Sequence, residues 1–303
     1  MFKCFQSGLS VAHFYKQIDR FVNLSLILLT IILFAFRFLS PSSYLLAKQC
    51  QIHDFQVKNE PVLQYLQGSK ERDQLIIELN ELSSKVTHVP IVINGKEIFD
   101  GKERVRCAPF DHGLQLAKYY WAEKELIRKS IEESQKIRKV WEAVSFDDKI
   151  KIFLKAGDLV SGKYRQKLNA ATMLGQGQIS RLFQYKIINN FCYYLGKTVI
   201  QAEIDSAAEL ADFFRLNAYF AKELHKYQPI SPGPDIKNSL RFRGIEGFIA
   251  SISPFNFTAI GGNLASSPCL MGNVVLWKPS EASILSNWIV LQVLKEAGIP
   301  DGK

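Results

Sequence analysis

The sequence has few cysteines, and their spacing excludes two common uses of that residue. The five cysteines are scattered, with no CxxC pair and no cluster with histidine: Cys4, Cys50, Cys107, Cys192 and Cys269. Disulfide frameworks and zinc sites depend on closely spaced or evenly paired cysteines. The sequence therefore predicts a protein of a reducing compartment, with no metal site.

Two binding signatures are also missing. The chain contains no GxGxxG sequence, and its net charge of +9 is spread over 303 residues rather than gathered in basic runs interleaved with aromatic residues. A dispersed charge is typical of a solvated surface, whereas nucleic-acid binding needs a basic patch. We therefore expect no nucleic acid partner. The length and the apolar content of 47% allow a sizeable core in one or two domains.

Residues 1–53 form an N-terminal extension with a long apolar run. In Phe21–Phe36 the polar side chains are Asn23, Ser25 and Thr30. A membrane span needs about 20 apolar residues and a signal-peptide core about 7–15, so this run fits neither well. Three interpretations stay open, namely a membrane anchor, a targeting sequence and translated non-coding sequence.

Residues 54–228 are predicted to be mainly helical. Ser69 has the residue type of an N-cap, and Val89–Ile93 joined to Glu97–Phe99 by Asn94-Gly95 predicts a hairpin. Helical periodicity marks five segments, Ser69–Val86, Glu123–Glu142, Asp147–Leu159, Arg165–Leu174 and Thr198–Leu224.

One segment of this region has an unusual composition. Residues 178–196 contain no Asp or Glu and are rich in Ile, Tyr, Phe and Asn. Two hypotheses stay open, namely an unremoved intron and a genuine surface insertion, which loops tolerate at low cost. After residue 228, Pro229–Pro234 breaks the chain, and Ser239–Arg243 alternates polar and apolar residues as an edge strand would.

Glu246–Ser280 reads as a βαβ unit. Phe248–Ile252 and Val274–Trp277 have the length of buried strands, and Phe257–Met271 between them has the length of a helix. Such a unit predicts a parallel sheet with a right-handed crossover, whose ligands bind at the carboxyl ends of the strands. The turns that follow the two strands should therefore face one crevice, where a dinucleotide is a plausible ligand.

The two turns carry a family resemblance. SPFNF at 253–257 followed by GNVVLWKPS at 272–280 resembles the aldehyde dehydrogenase superfamily, in which a P-[WF]-N-[FY] turn precedes a G-N-x-V-x-x-K-P-[AS] strand. The segments INGKEI, TVIQAEIDSAAELADFFRLNA and RGIEGFIASISPFNF are most similar to its Δ1-pyrroline-5-carboxylate dehydrogenase branch. The resemblance implies an α/β fold with an N-terminal helical layer up to 228, an oligomerisation strand in 229–245 and the beginning of a Rossmann-type NAD domain in 246–303.

The resemblance also implies a function. The branch oxidises L-glutamate γ-semialdehyde to glutamate with NAD, in proline catabolism in the mitochondrial matrix, as a homo-oligomer. Asn256 matches the asparagine that donates to the oxyanion, and Glu209 and Phe257 match residues of the substrate pocket. The positions that match cofactor contacts are Ile252, Ser253, Pro254, Phe255, Lys278 and Ser280.

Each of these residues also has an ordinary structural interpretation. Asn256 has the residue type of an N-cap or Asx turn, Lys278 and Glu209 of solvated surface charges, and Phe257 of a core residue. The family's nucleophile motif G-Q-x-C and general-base motif E-x-G-G do not occur in the 303 residues. We therefore expect this chain to be inactive alone. The alternative is a non-catalytic fragment, membrane-anchored through 21–36, that associates with full-length aldehyde dehydrogenase subunits.

Overall fold

The computed structural model describes residues 55–176 and 197–302. The apolar run 21–36, the rest of the extension 1–53 and the segment 178–196 lie outside these residues. Within the described part of the chain, no helix is both long enough and apolar enough to cross a membrane.

Helices and strands alternate in blocks along the described residues. The strands are β1 (Thr87–Val89), β2 (Ile91–Ile93), β3 (Lys96–Ile98), β4 (Lys102–Ala108), β5 (Asp111–Trp121), β6 (Ile249–Ile252) and β7 (Val275–Lys278). The α-helices are α1 (Lys70–Ser84), α2 (Lys124–Ala143), α3 (Phe146–Ser161), α4 (Arg165–Gly175), α5 (Val199–Ala202), α6 (Glu209–Lys226), α7 (Thr258–Leu270) and α8 (Ile284–Ala297).

The helical layer follows its sequence signals closely. Ser69 caps α1 by accepting a hydrogen bond from the backbone N–H of Arg72, as its residue type predicts. The Nε1 of Trp141, which is buried on α2, donates to the carbonyl of Cys269 at 2.8 Å. This bond ties the helical layer to the C-terminal end of α7. Cys269 is buried, as expected for a small apolar residue.

The helix predicted over Thr198–Leu224 is interrupted, which corrects the prediction of one continuous helix. Residues Glu203–Ala208 form a π-helical turn between α5 and α6. A π turn inserts one residue into the helical repeat, so the two apolar stripes on either side do not align. Ile200 and Ile204 would share the apolar stripe of a continuous helix, but both are exposed, and Glu203 is fully buried instead.

Of the two small sheets in the N-terminal half, the sequence predicted only one. The β2–β3 hairpin closes through Asn94 and Gly95, which both have positive φ angles, and confirms the Asn-Gly signal. A second sheet, in the order β1-β5-β4, was not predicted. One of its two edge strands, β4, is rich in Lys, Arg and Glu and alternates between exposed and half-buried residues before the buried Ala108.

The C-terminal half confirms the predicted βαβ unit. Strands β6 and β7 pair in parallel, with α7 between them in sequence and α8 after them. Helix α7 approaches its neighbours closely through two glycines. A Cβ on Gly262 would lie 3.0 Å from both Leu210 and Val290, so a side chain there would separate the helices.

Ser239–Arg243, predicted as an edge strand, forms no strand within the single chain. Its polar groups bond instead to the segment after α6 and to α2. The backbone N–H of Leu240 donates to Gln228 at 2.8 Å, and Arg243 pairs with Glu142 at 2.8 Å. The alternating pattern has no neighbouring strand among the described residues to pair with, so its extended form stays unpaired.

Candidate functional site at the ends of two parallel strands

The carboxyl ends of β6 and β7 lie side by side. Ile252 pairs with Lys278 in the parallel register, and the backbone N–H of Ser253 donates to the carbonyl of Lys278 at 3.1 Å. The turn after β6 and the turn after β7 therefore border one crevice. This is the arrangement that the sequence predicts for the two turns.

The turn after β6 presents apolar surface outward and fixes its serine inward. The hydroxyl of Ser253 is buried, accepts from Trp277 Nε1 at 2.8 Å and donates to the carbonyl of Gly261 at 3.4 Å. Ile252 and Phe255 are exposed, Phe255 by 61%. Pro254 between them is half-buried. The side chain of Ser253 thus holds the turn, and the exposed surface comes from its neighbours.

The turn after β7 presents a cation. Lys278 is exposed, and its ammonium donates to the carbonyl of Pro279 at 3.3 Å. Ser280 accepts from the backbone N–H of Ala282 at 3.4 Å and so caps the short 3-10 turn Glu281–Ser283. Lys278 therefore presents its ammonium at the surface, whereas the hydroxyl of Ser280 serves the backbone.

Asn256 and Phe257 lie half-buried at the start of α7. The N-cap position of α7 is Phe257, and its side chain makes no capping bond, so the interpretation of Asn256 as the N-cap is wrong. The backbone carbonyl of Asn256 accepts a hydrogen bond from Lys197 Nζ. Among the described residues, the side-chain amide of Asn256 has no hydrogen-bonding partner, which leaves its donors available.

Glu209 is the first residue of α6 and is half-buried. Its Oε2 is buried without a hydrogen-bond partner among the described residues. Burial raises the pKa of this carboxyl, and the negative charges of Asp205 and Asp212 raise the pKa further, against the opposing charge of Lys197. A half-buried carboxyl of raised pKa is one of the features that mark candidates for functional residues.

Sequence reasoning missed Lys197, which joins the two sides of the site. Its ammonium bonds Asp205 at 2.5 Å, reaches the carbonyl of Asn256 and lies 4.6 Å from the centre of the Phe257 ring. The available signal was weak, since a lysine immediately before the capping Thr198 has no periodic or spacing pattern of its own. Its role depends on a contact 59 residues away in sequence.

A second missed group is the buried carboxylate of Glu203. It accepts from Tyr65 Oη at 2.7 Å, from Asn169 Nδ2 at 2.6 Å and from the backbone of Leu63 at 2.9 Å, and it pairs with Arg165. Because every lone pair of this carboxylate is directed at a donor, the group stabilises the π turn rather than offering reactivity. It fixes the backbone on which Asp205 and Glu209 are carried.

Metal-ligating side chains do not gather in residues 55–176 and 197–302, where no group of three or more His, Cys, Asp or Glu could hold a metal ion. The two turns carry an exposed ammonium on Lys278, a primary amide on Asn256 and exposed apolar side chains.

Comparisons with known proteins point to one family. The model of the aldehyde dehydrogenase family matches residues 183–303. The mitochondrial Delta-1-pyrroline-5-carboxylate dehydrogenase of Bos taurus is 47% identical over 255 residues, which cover 84% of this chain and 42% of the relative. That of Homo sapiens is 48% identical over 244 residues, which cover 80% of this chain and 40% of the relative.

Solved structures give the same result. The crystal structure of the Delta-pyrroline-5-carboxylate dehydrogenase from Mycobacterium tuberculosis bound with NAD superposes with a TM-score of 0.74 at 38% identity. The match covers 83% of this chain and 44% of that one. The chain thus spans about two-fifths of the length of the curated relatives it matches. On its sequence motifs, its fold and these matches, this chain belongs to the aldehyde dehydrogenase family.

Proposed function

We propose that this chain contributes the first part of an NAD-dependent enzyme that oxidises L-glutamate γ-semialdehyde to glutamate, in proline catabolism in the mitochondrial matrix. The observation that carries the proposal is the pairing of β6 with β7, which brings the turn that holds Asn256 and the turn after Lys278 to the same edge of the sheet. The names and the mitochondrial assignment of the relatives support the substrate and the compartment.

The residues at the strand ends suit a dinucleotide. Lys278 offers an exposed ammonium for hydroxyl groups of a ribose, and Ile252, Pro254 and Phe255 offer an apolar border for flat rings. Ser253 and Ser280 contribute through the backbone shape that their hydroxyls maintain. NAD, when bound, supplies the acceptor for the hydride of the substrate.

Asn256 is assigned the oxyanion contact. Its amide donates hydrogen bonds without carrying a charge, so it favours the oxyanion of the transition state over the neutral carbonyl of the substrate. Glu209 and Phe257 are assigned to the substrate pocket, by their match to the family's pocket residues. Loss of one oxyanion donor typically costs about 10²–10³ in rate.

The chain alone is proposed to be inactive. Its 303 residues contain neither G-Q-x-C nor E-x-G-G, the motifs of the family's nucleophile and general base. In the described part of the chain, Cys269 is buried and Cys107 lies on β4, so neither sits at the crevice. A spectrophotometric assay for NADH with glutamate γ-semialdehyde is expected to show no turnover. Measurable turnover would contradict this part of the proposal.

Cofactor binding tests the remaining part directly. Titration of the 303-residue chain with NAD, followed by calorimetry, is expected to show binding that Lys278→Met weakens about tenfold, since a hydrogen bond to a charged group contributes roughly 1.5–3 kcal/mol. Lys237→Met is the matched control, because Lys237 is also exposed but lies outside the crevice. Equal affinities for the wild type and Lys278→Met would overturn the assignment of the cofactor site.

A second candidate function is association with other aldehyde dehydrogenase subunits, without catalysis by this chain. The observation that favours it is a set of exposed apolar side chains between α6 and β6, namely Tyr227, Ile230, Ile236, Leu240 and Ile245. Exposed apolar clusters are typical of interaction surfaces. Co-purification with a full-length subunit supports this role, and a monodisperse monomer in light scattering argues against it.

A further inference from the structure

Lys197 carries a buried ammonium, which is unusual for a lysine. Only 7% of the residue is exposed. Burial of an ammonium is costly unless charge and hydrogen-bonding capacity are matched. Here the matching groups all belong to the crevice or to the π turn behind it, and they are the Asp205 carboxylate, the Asn256 carbonyl and the face of the Phe257 ring.

The contact with the Asn256 carbonyl acts on the backbone of the turn. A charge-assisted hydrogen bond is roughly twice as strong as a neutral one, and it restricts the peptide group that accepts it. On one side of the turn, the Ser253 amide bonds the Lys278 carbonyl at 3.1 Å. On the other, the Gly261 amide bonds the Phe257 carbonyl at 3.3 Å. Lys197 thus fixes the middle of a segment whose two ends are held by the strand and by the helix.

We propose that Lys197 is a positioning residue for the crevice, where its ammonium holds the Asn256 backbone so that the Asn256 side-chain donors face the ligand space. The proposal rests on the proposed function only in naming what Asn256 donates to. The other part of the proposal, that the Lys197 ammonium orders the turn after β6, is argued from the contacts alone.

The chain offers a matched control in Lys149. Its ammonium is also buried and also donates to backbone carbonyls, to Val144 at 2.8 Å and to Glu142 at 3.4 Å, but these lie at the junction of α2 and α3. Lys149→Met removes the same kind of bond at a distance from the crevice. It therefore separates a specific effect on the turn from a general loss of stability.

Residue-resolved hydrogen exchange by NMR on the 303-residue chain tests the proposal. Lys197→Met is expected to speed the exchange of the Ser253 and Gly261 amides about tenfold, the change that corresponds to losing one charged hydrogen bond. The Ile249 amide, bonded to Val274 at the opposite end of the same strand pair, should keep its rate. Lys197→Arg, which keeps the charge, should restore slow exchange. Lys197→Gln, which keeps a donor without the charge, should fall between the two and serves if Lys197→Met fails to fold.

A carbon-13 titration of the Glu209 carboxyl gives a second readout. The groups that face Glu209 are Lys197, Asp205 and Asp212, and the first of these lowers its pKa. Lys197→Met should therefore raise the Glu209 pKa, whereas Lys149→Met should leave it unchanged.

Three outcomes would overturn the positioning role. The first is unchanged exchange at Ser253 and Gly261 in Lys197→Met, and the second is equal acceleration at Ile249. The third is faster exchange at Ser253 and Gly261, with an unchanged rate at Ile249, in Lys149→Met as well. None of these measurements depends on turnover or on NAD binding. If the proposed function fails its test, the exchange and titration results still decide the role of Lys197. If Lys197 has no positioning role, the test of the proposed function is unaffected.

Discussion

Gly261 of α7 and Asn287 of α8 approach so closely that a Cβ on the glycine would lie 2.8 Å from the Asn287 side-chain oxygen. The Asn287 amide is fully buried, and its oxygen and nitrogen have no partner among the described residues. Because the Asn287 side chain is fully buried, it has little room to move away from a methyl group on Gly261. The two helices meet at a distance that only glycine permits.

Gly261→Ala is accordingly expected to destabilise the fold by about 1–3 kcal/mol, the usual cost of overpacking a well-packed core. Urea unfolding followed by circular dichroism measures the change. Gly233→Ala is the control, because a Cβ there meets nothing within 4 Å, and it should be neutral or slightly stabilising. Equal midpoints for the two variants would show that α7 and α8 can separate without cost.

Glu203→Gln is expected to cost about 1.5–3 kcal/mol, because it removes one of the two carboxylates that pair with the buried Arg165 guanidinium and leaves only Glu60. The effect should depend on pH. Burial raises the Glu203 pKa, but the bonds from Arg165, Leu63 and Tyr65 outweigh burial and leave the pKa below its ordinary value. The stability that this carboxylate contributes is therefore present above the ordinary glutamate pKa of about 4.3 and is lost as pH falls below it.

Chemical unfolding at a series of pH values between neutrality and pH 3 measures this dependence. The difference in unfolding free energy between wild type and Glu203→Gln should shrink toward the acid end. Glu81→Gln removes a carboxylate of an exposed ion pair with Lys85 and should change nothing measurable. A difference that stays constant with pH would contradict the assignment of Glu203 as an ionised buried group.

Lys149 should also make stability rise with pH, but in the alkaline range. Burial lowers its pKa to about 8 from the ordinary 10.5, against the opposing charges of Cys269 and Glu142. The unfolded chain holds this proton over a pH range in which the folded chain has released it. Stability should therefore rise from pH 8 to 10.5, by up to about 1.4 kcal/mol per pH unit. The test compares the slope of the unfolding free energy against pH in wild type and in Lys149→Met. Equal slopes would exclude the lowered pKa of Lys149.

Deletion of residues 178–196 is expected to leave the unfolding midpoint unchanged. Gln176 donates to the Thr258 hydroxyl at 2.5 Å, and Lys197 donates to the Asn256 carbonyl. The residues on either side of the segment therefore contact residues that are two positions apart in sequence. A direct junction of Gly177 to Lys197 therefore has a short distance to span. Thermal unfolding of the two chains measures the effect, and a deleted chain that no longer unfolds cooperatively would refute the expectation.

Sequence predicted the elements whose signals are local. The βαβ unit was placed to within about a residue at most boundaries, because two apolar runs and a polar turn bracket it. The helices of the N-terminal half followed from periodicity and from caps such as Ser69. The residues assigned to the crevice come from motifs on two adjacent turns, and their roles stay predictions.

What sequence missed depends on partners that are distant along the chain. The π turn has no local signature, since it exists because Glu203 turns inward to meet Arg165 and Tyr65. Lys197 acquires its role only from Asn256. Strand β4 carries so many charges that its pattern indicates a solvated loop, and its pairing depends on the long strand β5.

The bond from Trp141 to the Cys269 carbonyl spans 128 residues of sequence. At typical rates of protein synthesis, a ribosome needs on the order of ten seconds to make that much chain. During this interval the helical layer emerges without the helix that its central tryptophan contacts. The helical layer must therefore complete its packing late. Until α7 is synthesised, the apolar face of the layer is exposed, and chaperones bind such surfaces.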